Sequence, residues 1–284
     1  MPDVRTPDEI REHLVREGLA AHAGNALARL RTEIRITTTR TESFALGQSR
    51  IGGVPDLPRG IQWPRHRWTH AETAAWPEWC KPELAEGVAS GQVVVEREHF
   101  ALAHPFVAQL DLAELAPLQA ALPRTGRIWL FADQSTTVGE IAGYQCRASA
   151  CVYDTTSDLV RAEPPPVPES LPASALAFTA ELVLPNPNDA AMHGLSSEEW
   201  DTYDRIVTEL GQRDPRHALL HQPDSGANQD IPPPGFTSIL RVDSDYAQTP
   251  IINWGDAAWI TFAIPDDALA SCRFEEVCAF CWYG

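Results

Sequence analysis

The sequence predicts an α+β protein that is predominantly antiparallel β, with helices at its flanks. Three observations support this class: short apolar runs that alternate with polar residues, clusters of turn-forming Gly and Pro between them, and two helix-start motifs. The chain has 284 residues, of which 44% are hydrophobic. It is therefore long enough to bury a large core, and we expect a single compact domain over residues 1–284.

The first predicted elements are a helix and a strand. Thr6 and Glu9 have the spacing of a capping box, with Pro7 at the first helical position, so we expect a helix that runs to about Gly24. The segment E-I-R-I-T-T-T at 33–39 then alternates Ile with polar residues, which is typical of a half-buried strand.

The stretch from Ser49 to Pro64 reads S-R-I-G-G-V-P-D-L-P-R-G-I-Q-W-P. Gly allows a positive φ or a close backbone approach, whereas Pro fixes φ and removes a backbone donor. Irregular, tightly specified turns are therefore predicted here. From Trp63 to Phe100 the pattern is irregular and rich in Trp, which indicates an ordered excursion on the surface.

A weak internal repeat follows. F-V-A-Q-L-D at 106–111 resembles S-I-L-R-V-D at 238–243, and T-G-R-I-W-L-F-A at 125–132 resembles D-A-A-W-I-T-F-A at 256–263. Each copy is typical of two strands joined by a connection, so we expect two related β units.

These units divide the chain. The Pro-rich segment R-A-E-P-P-P-V-P-E-S-L-P at 161–172 favours an extended backbone, and we interpret it as a crossover between halves at about 33–160 and 173–284. In the second half, Ser196 and Glu199 form another capping box and begin a helix that should stop near 211.

Four segments together carry a family resemblance: the run at 49–64, residues 106–131, H-A-L-L-H-Q-P-D-S-G-A-N-Q-D-I at 217–231, and L-R-V-D-S-D with W-G-D at 240–256. The chain resembles the YwqG-like bacterial proteins, a domain of unknown function. His221 stands where we expect Gly from the family pattern. The resemblance implies a compact, mostly β fold with flanking helices, and it carries no catalytic residues.

Charge and composition narrow the function classes. A formal charge of −17 and an isoelectric point near 4.8 argue against nucleic-acid binding and favour a basic partner. No signal sequence or long apolar run is present, so we expect no membrane association. The six Cys are interpreted as free thiols, which favours a soluble cytoplasmic protein.

Asp243, Asp245 and Asp256 form the first candidate site, with His217 nearby if the intervening loop folds back. Carboxylates at the end of a strand and in a W-G-D turn are suited to a hard divalent cation such as Mg²⁺ or Ca²⁺. The alternative is structural, because Asp in turns commonly accepts hydrogen bonds from neighbouring backbone N–H groups.

A second candidate set comprises Arg50, Trp63, Gln109 and Asp111, which are placed to line a polar groove between the halves. The alternative interpretation is that Arg50 forms a structural ion pair or turn bond with one of the repeat Asp residues.

Cys272, Cys278 and Cys281 raise the question of zinc, because the last two form a C-x-x-C pair. A strand through this segment would send Cys278 and Cys281 to opposite faces, and a fourth ligand is not evident. Zinc is therefore disfavoured, and no cofactor is predicted. The common hydrolase, NTPase, dehydrogenase and metalloprotease motifs are absent from the sequence.

Two function classes follow. The leading one is a non-enzymatic binding protein with a basic protein partner, such as the toxin domain that an immunity-type protein would neutralise. The other is a metal-assisted or small-ligand-binding enzyme that uses the Asp cluster. The sequence leaves the ligand, the catalytic residues and the oligomeric state open.

Overall fold

The structure is a computed structural model of the chain. It describes residues 6–75, 78–141, 144–166, 170–187, 192, 194–210, 217–221, 224–226, 229–247, 251–255 and 258–282. The helices are α1 (Pro7–Arg16), α2 (Ala20–Ala28), α3 (His70–Ala74), α4 (Lys81–Ala89), α5 (Leu112–Leu115), α6 (Ser197–Glu209) and α7 (Asp266–Ala270).

Strands form the body of the protein. They are β1 (Arg31–Arg40), β2 (Arg50–Ile51), β3 (Asp56–Pro58), β4 (Arg65–Thr69), β5 (Val93–Val95), β6 (His99–Ala103), β7 (Phe106–Asp111), β8 (Arg127–Ile141), β9 (Tyr144–Asp154), β10 (Leu159–Arg161), β11 (Ser174–Val183), β12 (His217–Leu219), β13 (Asp224–Gly226), β14 (Gln229–Ile231), β15 (Phe236–Asp243), β16 (Trp259–Pro265) and β17 (Cys278–Trp282).

Ten of the described strands form a closed barrel, in the order β1-β11-β2-β7-β8-β9-β17-β16-β15-β12. Every pairing is antiparallel, and β12 pairs back with β1 to close the ring. The longest run of strand pairing without a register shift in the barrel is between β1 and β11, from Arg31 opposite Val183 to Arg40 opposite Ser174. The predicted class, mainly antiparallel β with flanking helices, is confirmed.

The barrel is filled with apolar side chains. Alternate residues along the strands form one buried cluster that includes Ile34, Leu110, Leu130, Leu240 and Phe262. Successive side chains of a strand point to opposite faces, so the residues between these positions face outward. Interior packing of this kind leaves the ends and the outer face of the barrel as the places for chemistry.

The two segments that the sequence pairs as a repeat both form antiparallel strand pairs of the barrel, β7 with β8 and β15 with β16. Each pair contains a register shift, between Phe106 and Ala108 in the first and between Ser238 and Leu240 in the second. A duplication, and the division into halves at 161–172, remain predictions.

A helical layer lies beside the barrel. Helices α1, α2 and α6 share a separate apolar cluster that includes Leu14, Ala23 and Tyr203. Both predicted capping boxes are present, at Thr6 and at Ser196. The expectation of one helix to Gly24 was wrong, because Gly18 adopts φ +88° and separates α1 from α2.

The Trp-rich excursion is more regular than its sequence indicated. It contains helices α3 and α4 and a three-stranded sheet in the order β4-β6-β5. Two smaller sheets, β10 with β3 and β13 with β14, complete the described fold. Among the described helices, none combines the length and the apolar character that a membrane span requires.

Candidate functional site

Seven titratable residues from neighbouring barrel strands and the loops after them form a charged cluster. They lie on β1, on β12 and the residues after it, and on β15 and the residues after it, and they are Glu33, Arg40, His217, His221, Arg241, Asp243 and Asp245. All except Arg40 and His221 are buried, and those two are half-buried. Ionisable groups are seldom buried without partners, so their contacts determine what this cluster can do.

Arg241 is the centre of the outer part of this cluster. Its guanidinium donates to both carboxylate oxygens of Asp243, at 2.5 and 3.1 Å, and it stacks 4.2 Å from the ring centroid of Trp259. Its Nη1 also donates to Nε2 of His221 at 2.9 Å. Because Nε2 is then the acceptor, neutral His221 carries its proton on Nδ1, which lies 3.1 Å from Glu33 Oε2.

His217 connects two of the carboxylates. Its Nδ1 accepts the backbone N–H of Asp243 at 3.2 Å, so neutral His217 carries its proton on Nε2. This Nε2 lies 3.9 Å from Oδ2 of Asp245. Burial lowers the pKa of His217 although the charges of Asp243 and Asp245 oppose this effect. The imidazole is therefore neutral at pH 7 and faces a carboxylate.

The end of β1 supplies a second cation. Arg40 donates to the hydroxyl of Ser174 and, at 3.3 Å, to the carbonyl of Pro172. Burial lowers the pKa of Arg40, and the charge of Asp245 opposes that shift. Asp245 is itself held by the backbone N–H of Ala247, which donates to Oδ1 at 2.9 Å.

The structure therefore brings together three of the four predicted metal-site residues, His217, Asp243 and Asp245, while Asp256 lies outside the described residues. The Asp243 carboxylate is hydrogen-bonded by Arg241 on both oxygens. Within the described ranges, no group of three or more His, Cys, Asp and Glu is arranged to hold a metal ion. The metal prediction for the complete set remains untested.

A second polar network lies beneath the Gly- and Pro-rich stretch at 49–64. Asp56 is fully buried and pairs with Arg50 and Arg161. Gly47 donates its N–H to Oδ2 of Asp56 at 2.8 Å, and Gln109 Oε1 accepts the N–H of Asp56 at 2.8 Å. Although burial alone would raise it, the pKa of Asp56 is lowered by hydrogen bonds from Arg161 and Gly47 and by the charge of Arg50.

Trp129 extends this network, because its Nε1 donates to Gln109 Oε1 at 2.9 Å and to the carbonyl of Asp56 at 2.8 Å. Burial lowers the pKa of Arg50, whose Nη1 also donates to the carbonyl of Val54 at 2.9 Å. The network is dense and buried, which is typical of a structural role.

The four predicted groove residues differ in their contacts and do not all belong to one network. Arg50 and Gln109 are opposite each other in the β2–β7 ladder and are buried. Asp111 pairs with Arg127 at 2.7 Å and caps α5. Trp63 is half-buried and packs edge-on against Phe131, with ring centroids 5.6 Å apart. The ion-pair alternative named the wrong partner, since Arg50 binds Asp56 and not a repeat Asp.

Sequence reasoning missed Asp56, Arg241, His221 and Glu33. Asp56 is the single acidic residue of the 49–64 run, and Arg241 precedes Asp243 by two positions and so shares its face of β15. The sequence alone could therefore have identified Asp56 and Arg241. By contrast, the contact of Glu33 with His221 depends on the pairing of β1 with β12, which local sequence does not reveal.

The three candidate zinc residues are dispersed. Cys278 and Cys281 lie on β17, as the strand interpretation predicts, and Cys272 is exposed after α7. Burial first, and then the neighbouring Cys146, raise the pKa of Cys278 to about 11. All six cysteines are free thiols.

The fold and these two networks define a class: a closed antiparallel barrel with a packed interior, flanking helices and buried charged residues. A family model described as domain of unknown function (DUF1963) matches residues 49–282. The chain belongs to this family. No curated protein matches it. The family description does not carry the YwqG name, which stays a resemblance.

Proposed function

We propose that this protein is a non-enzymatic binding protein whose partner is a basic protein, as in an immunity-type protein that binds a basic toxin domain. The observation that carries the proposal is the formal charge of −17, together with the distribution of that charge on the surface. A cytoplasmic location is part of the proposal and is supported by the six free thiols.

The acidic surface is formed by α1 and α6. These helices pack through a shared apolar cluster, and Arg205 on α6 donates to Glu17 at the end of α1 at 2.6 Å. The excess of acidic side chains is large on α6, with five against one Arg, and small on α1, with three against two Arg. The acidic residues are Asp8, Glu9 and Glu12 on α1, and Glu198, Glu199, Asp201, Asp204 and Glu209 on α6. A basic partner would be steered to such a surface.

The packed barrel supports binding to the outside of the protein. Apolar side chains such as Leu110, Leu240 and Phe262 fill the interior. A barrel of this kind differs from those that enclose a ligand, whose interior is left open. Recognition by the surface is therefore favoured over a ligand held inside.

The two related halves also belong to this proposal. In both strand pairs the register shift lies at the corresponding position. The pair Leu110–Ile128 corresponds to Val242–Ile260, which is one position along from the sequence match of 125–132 with 256–263. The Ser49 hydroxyl accepts the N–H of Asp111, as His217 accepts that of Asp243. These correspondences support a duplication.

The test begins with capture of a partner by the purified protein at low and high salt, followed by affinity measurements on the isolated complex. We expect the Glu12→Lys/Asp201→Lys variant to weaken binding by about tenfold or more, which corresponds to about 1.4 kcal/mol. The matched control, Glu163→Lys/Glu275→Lys, changes the net charge equally at exposed positions elsewhere. Equal losses in both variants, or binding indifferent to salt, would contradict the assignment of the surface.

The alternative function is a metal-assisted or small-ligand-binding enzyme centred on the charged cluster. A neutral His217 facing the carboxylate of Asp245, next to Asp243, is the observation that favours it. Elemental analysis of tag-free protein, with Mg²⁺, Ca²⁺ and Zn²⁺ titrations, tests this function. Asp245→Asn preserves the acceptor for Ala247, so loss of metal with an unchanged melting temperature would support the enzyme. Absence of metal binding in the wild type would remove the metal-assisted form.

A further inference from the structure

A second cluster of imidazole, carboxylate and indole groups lies where the three-stranded sheet meets the barrel. Three segments are held together there by hydrogen bonds. Trp63 Nε1 donates to the carbonyl of His104 at 2.8 Å, and the N–H of His104 donates to the carbonyl of Pro64 at 3.1 Å. Ala132 donates to the carbonyl of Pro105 at 3.0 Å, which places β8 beside His104.

His104 is buried, with 3% of its surface exposed, yet its Nδ1 has no hydrogen-bond partner among the residues that the structure describes. Buried polar atoms are nearly always paired, so this exception calls for an explanation. Burial first, and then His66, lower the pKa of His104 to about 4 although Asp133 opposes the shift. The imidazole is neutral at pH 7, when one ring nitrogen can accept a hydrogen bond.

The groups around His104 are complementary to a cation. His66 and Trp68 share a face of β4, with ring centroids 4.5 Å apart, and the ring of His66 lies 6.0 Å from that of His104. Asp133 is buried on β8, and its charge acts on both imidazoles. The charge of Glu72 also acts on His66.

The same chain shows how such groups bind a guanidinium. Arg241 donates to the carboxylate of Asp243 and to Nε2 of His221, and it stacks on Trp259 at 4.2 Å. Carboxylate, neutral imidazole and indole are the three groups that hold it. The cluster at His104 contains the same three kinds of group.

We infer that His66, Trp68, His104 and Asp133 form a binding site for the guanidinium group of an arginine side chain. This inference rests on the proposed function, because a basic partner would supply that arginine. His66 and Trp68 are half-buried, and the ring of His66 lies beside that of the buried His104. The ring of His66 must therefore turn aside when the guanidinium reaches Nδ1. Charge-assisted donation to a carboxylate and stacking on indole stabilise the bound group.

The test uses N-acetyl-arginine amide as the probe, without a protein partner. We expect saturable shifts of the His66 and His104 imidazole resonances in a titration followed by NMR, with millimolar affinity. N-acetyl-lysine amide should bind about tenfold more weakly, since an ammonium lacks the planar donor set of a guanidinium. His104→Leu should abolish saturation. The matched control His70→Leu, at an exposed position where α3 begins, should retain it.

Three results would overturn the inference: no saturable shift with the arginine probe, equal binding of the lysine probe, or unchanged binding in His104→Leu. Far-ultraviolet circular dichroism and a melting curve establish that this variant is folded, and Asp133→Asn provides a second variant that should also lose binding. Failure of the proposed function can be distinguished from failure of this inference. The proposed function predicts loss of the partner complex in the Glu12→Lys/Asp201→Lys variant, which leaves this site intact.

Discussion

Removing the carboxylate of Asp56 should destabilise the protein strongly. Its side chain is fully buried, and that of Arg50 is 1% exposed, so Asp56→Ala leaves a buried guanidinium without its main counter-charge. Deleting one partner of a buried ion pair costs about 3–5 kcal/mol. The N–H of Gly47 loses its acceptor as well, which adds to the loss.

The ion pair between Arg59 and Asp158 is the matched control. It spans 3.0 Å in the same part of the chain, but its side chains are 66% and 61% exposed. Exposed pairs contribute about 0–1 kcal/mol, so Asp158→Ala should be nearly neutral.

Urea unfolding, monitored by Trp fluorescence, gives the free energy of unfolding for both variants. The melting temperature of Asp56→Ala should fall by roughly 10 °C, because each 1 kcal/mol corresponds to about 2–4 °C for a chain of this size. If Asp56→Ala costs no more than Asp158→Ala, the network beneath residues 49–64 does not stabilise the fold as argued.

Three further outcomes are expected. Gly52→Ala should lower the free energy of unfolding more than Gly60→Ala. The new Cβ at Gly52, where φ is +66°, would lie 2.5 Å from the carbonyl oxygen of Leu171, whereas the Cβ at Gly60 meets nothing within 4 Å. Equal unfolding free energies of the two variants would refute this. On folding, the pKa of His104 falls from 6.5 to about 4. Its contribution to the free energy of unfolding is therefore complete above pH 6.5 and is lost, by up to about 3 kcal/mol, as the pH falls through 4. His104→Gln should show a shallower loss of stability over that window, and an unchanged slope would contradict the assignment. Ser196→Ala should lower the free energy of unfolding by about 1 kcal/mol through loss of the N-cap, with a change below 0.3 kcal/mol counting against it.

Local patterns predicted the elements that depend on local chemistry. The capping boxes at Thr6 and Ser196 begin helices, and the alternation at 33–39 falls within β1. The barrel itself was not predicted, because its closure depends on partners far apart in sequence, such as Arg31 opposite Val183. Side-chain periodicity indicates that a strand has a buried face but not which strand lies beside it.

The candidate site shows the same division. His217, Asp243 and Asp245 were selected from sequence and lie together in the structure. Their environment was not predicted: the carboxylate of Asp243 is bound by Arg241, which changes it from a free ligand into one half of an ion pair. Residue type identifies which groups have chemistry, and only the fold determines what each of them faces.

The position of β1 limits how this protein can be shortened. The family match begins at residue 49, after β1 has already been completed. A chain cut back to the matched segment would lack the strand that lies between β11 and β12, so both would become open edges with unpaired N–H and C=O groups. Such a fragment would tend to join with other copies of itself through those edges, and recombinant production should therefore retain the residues that precede the match.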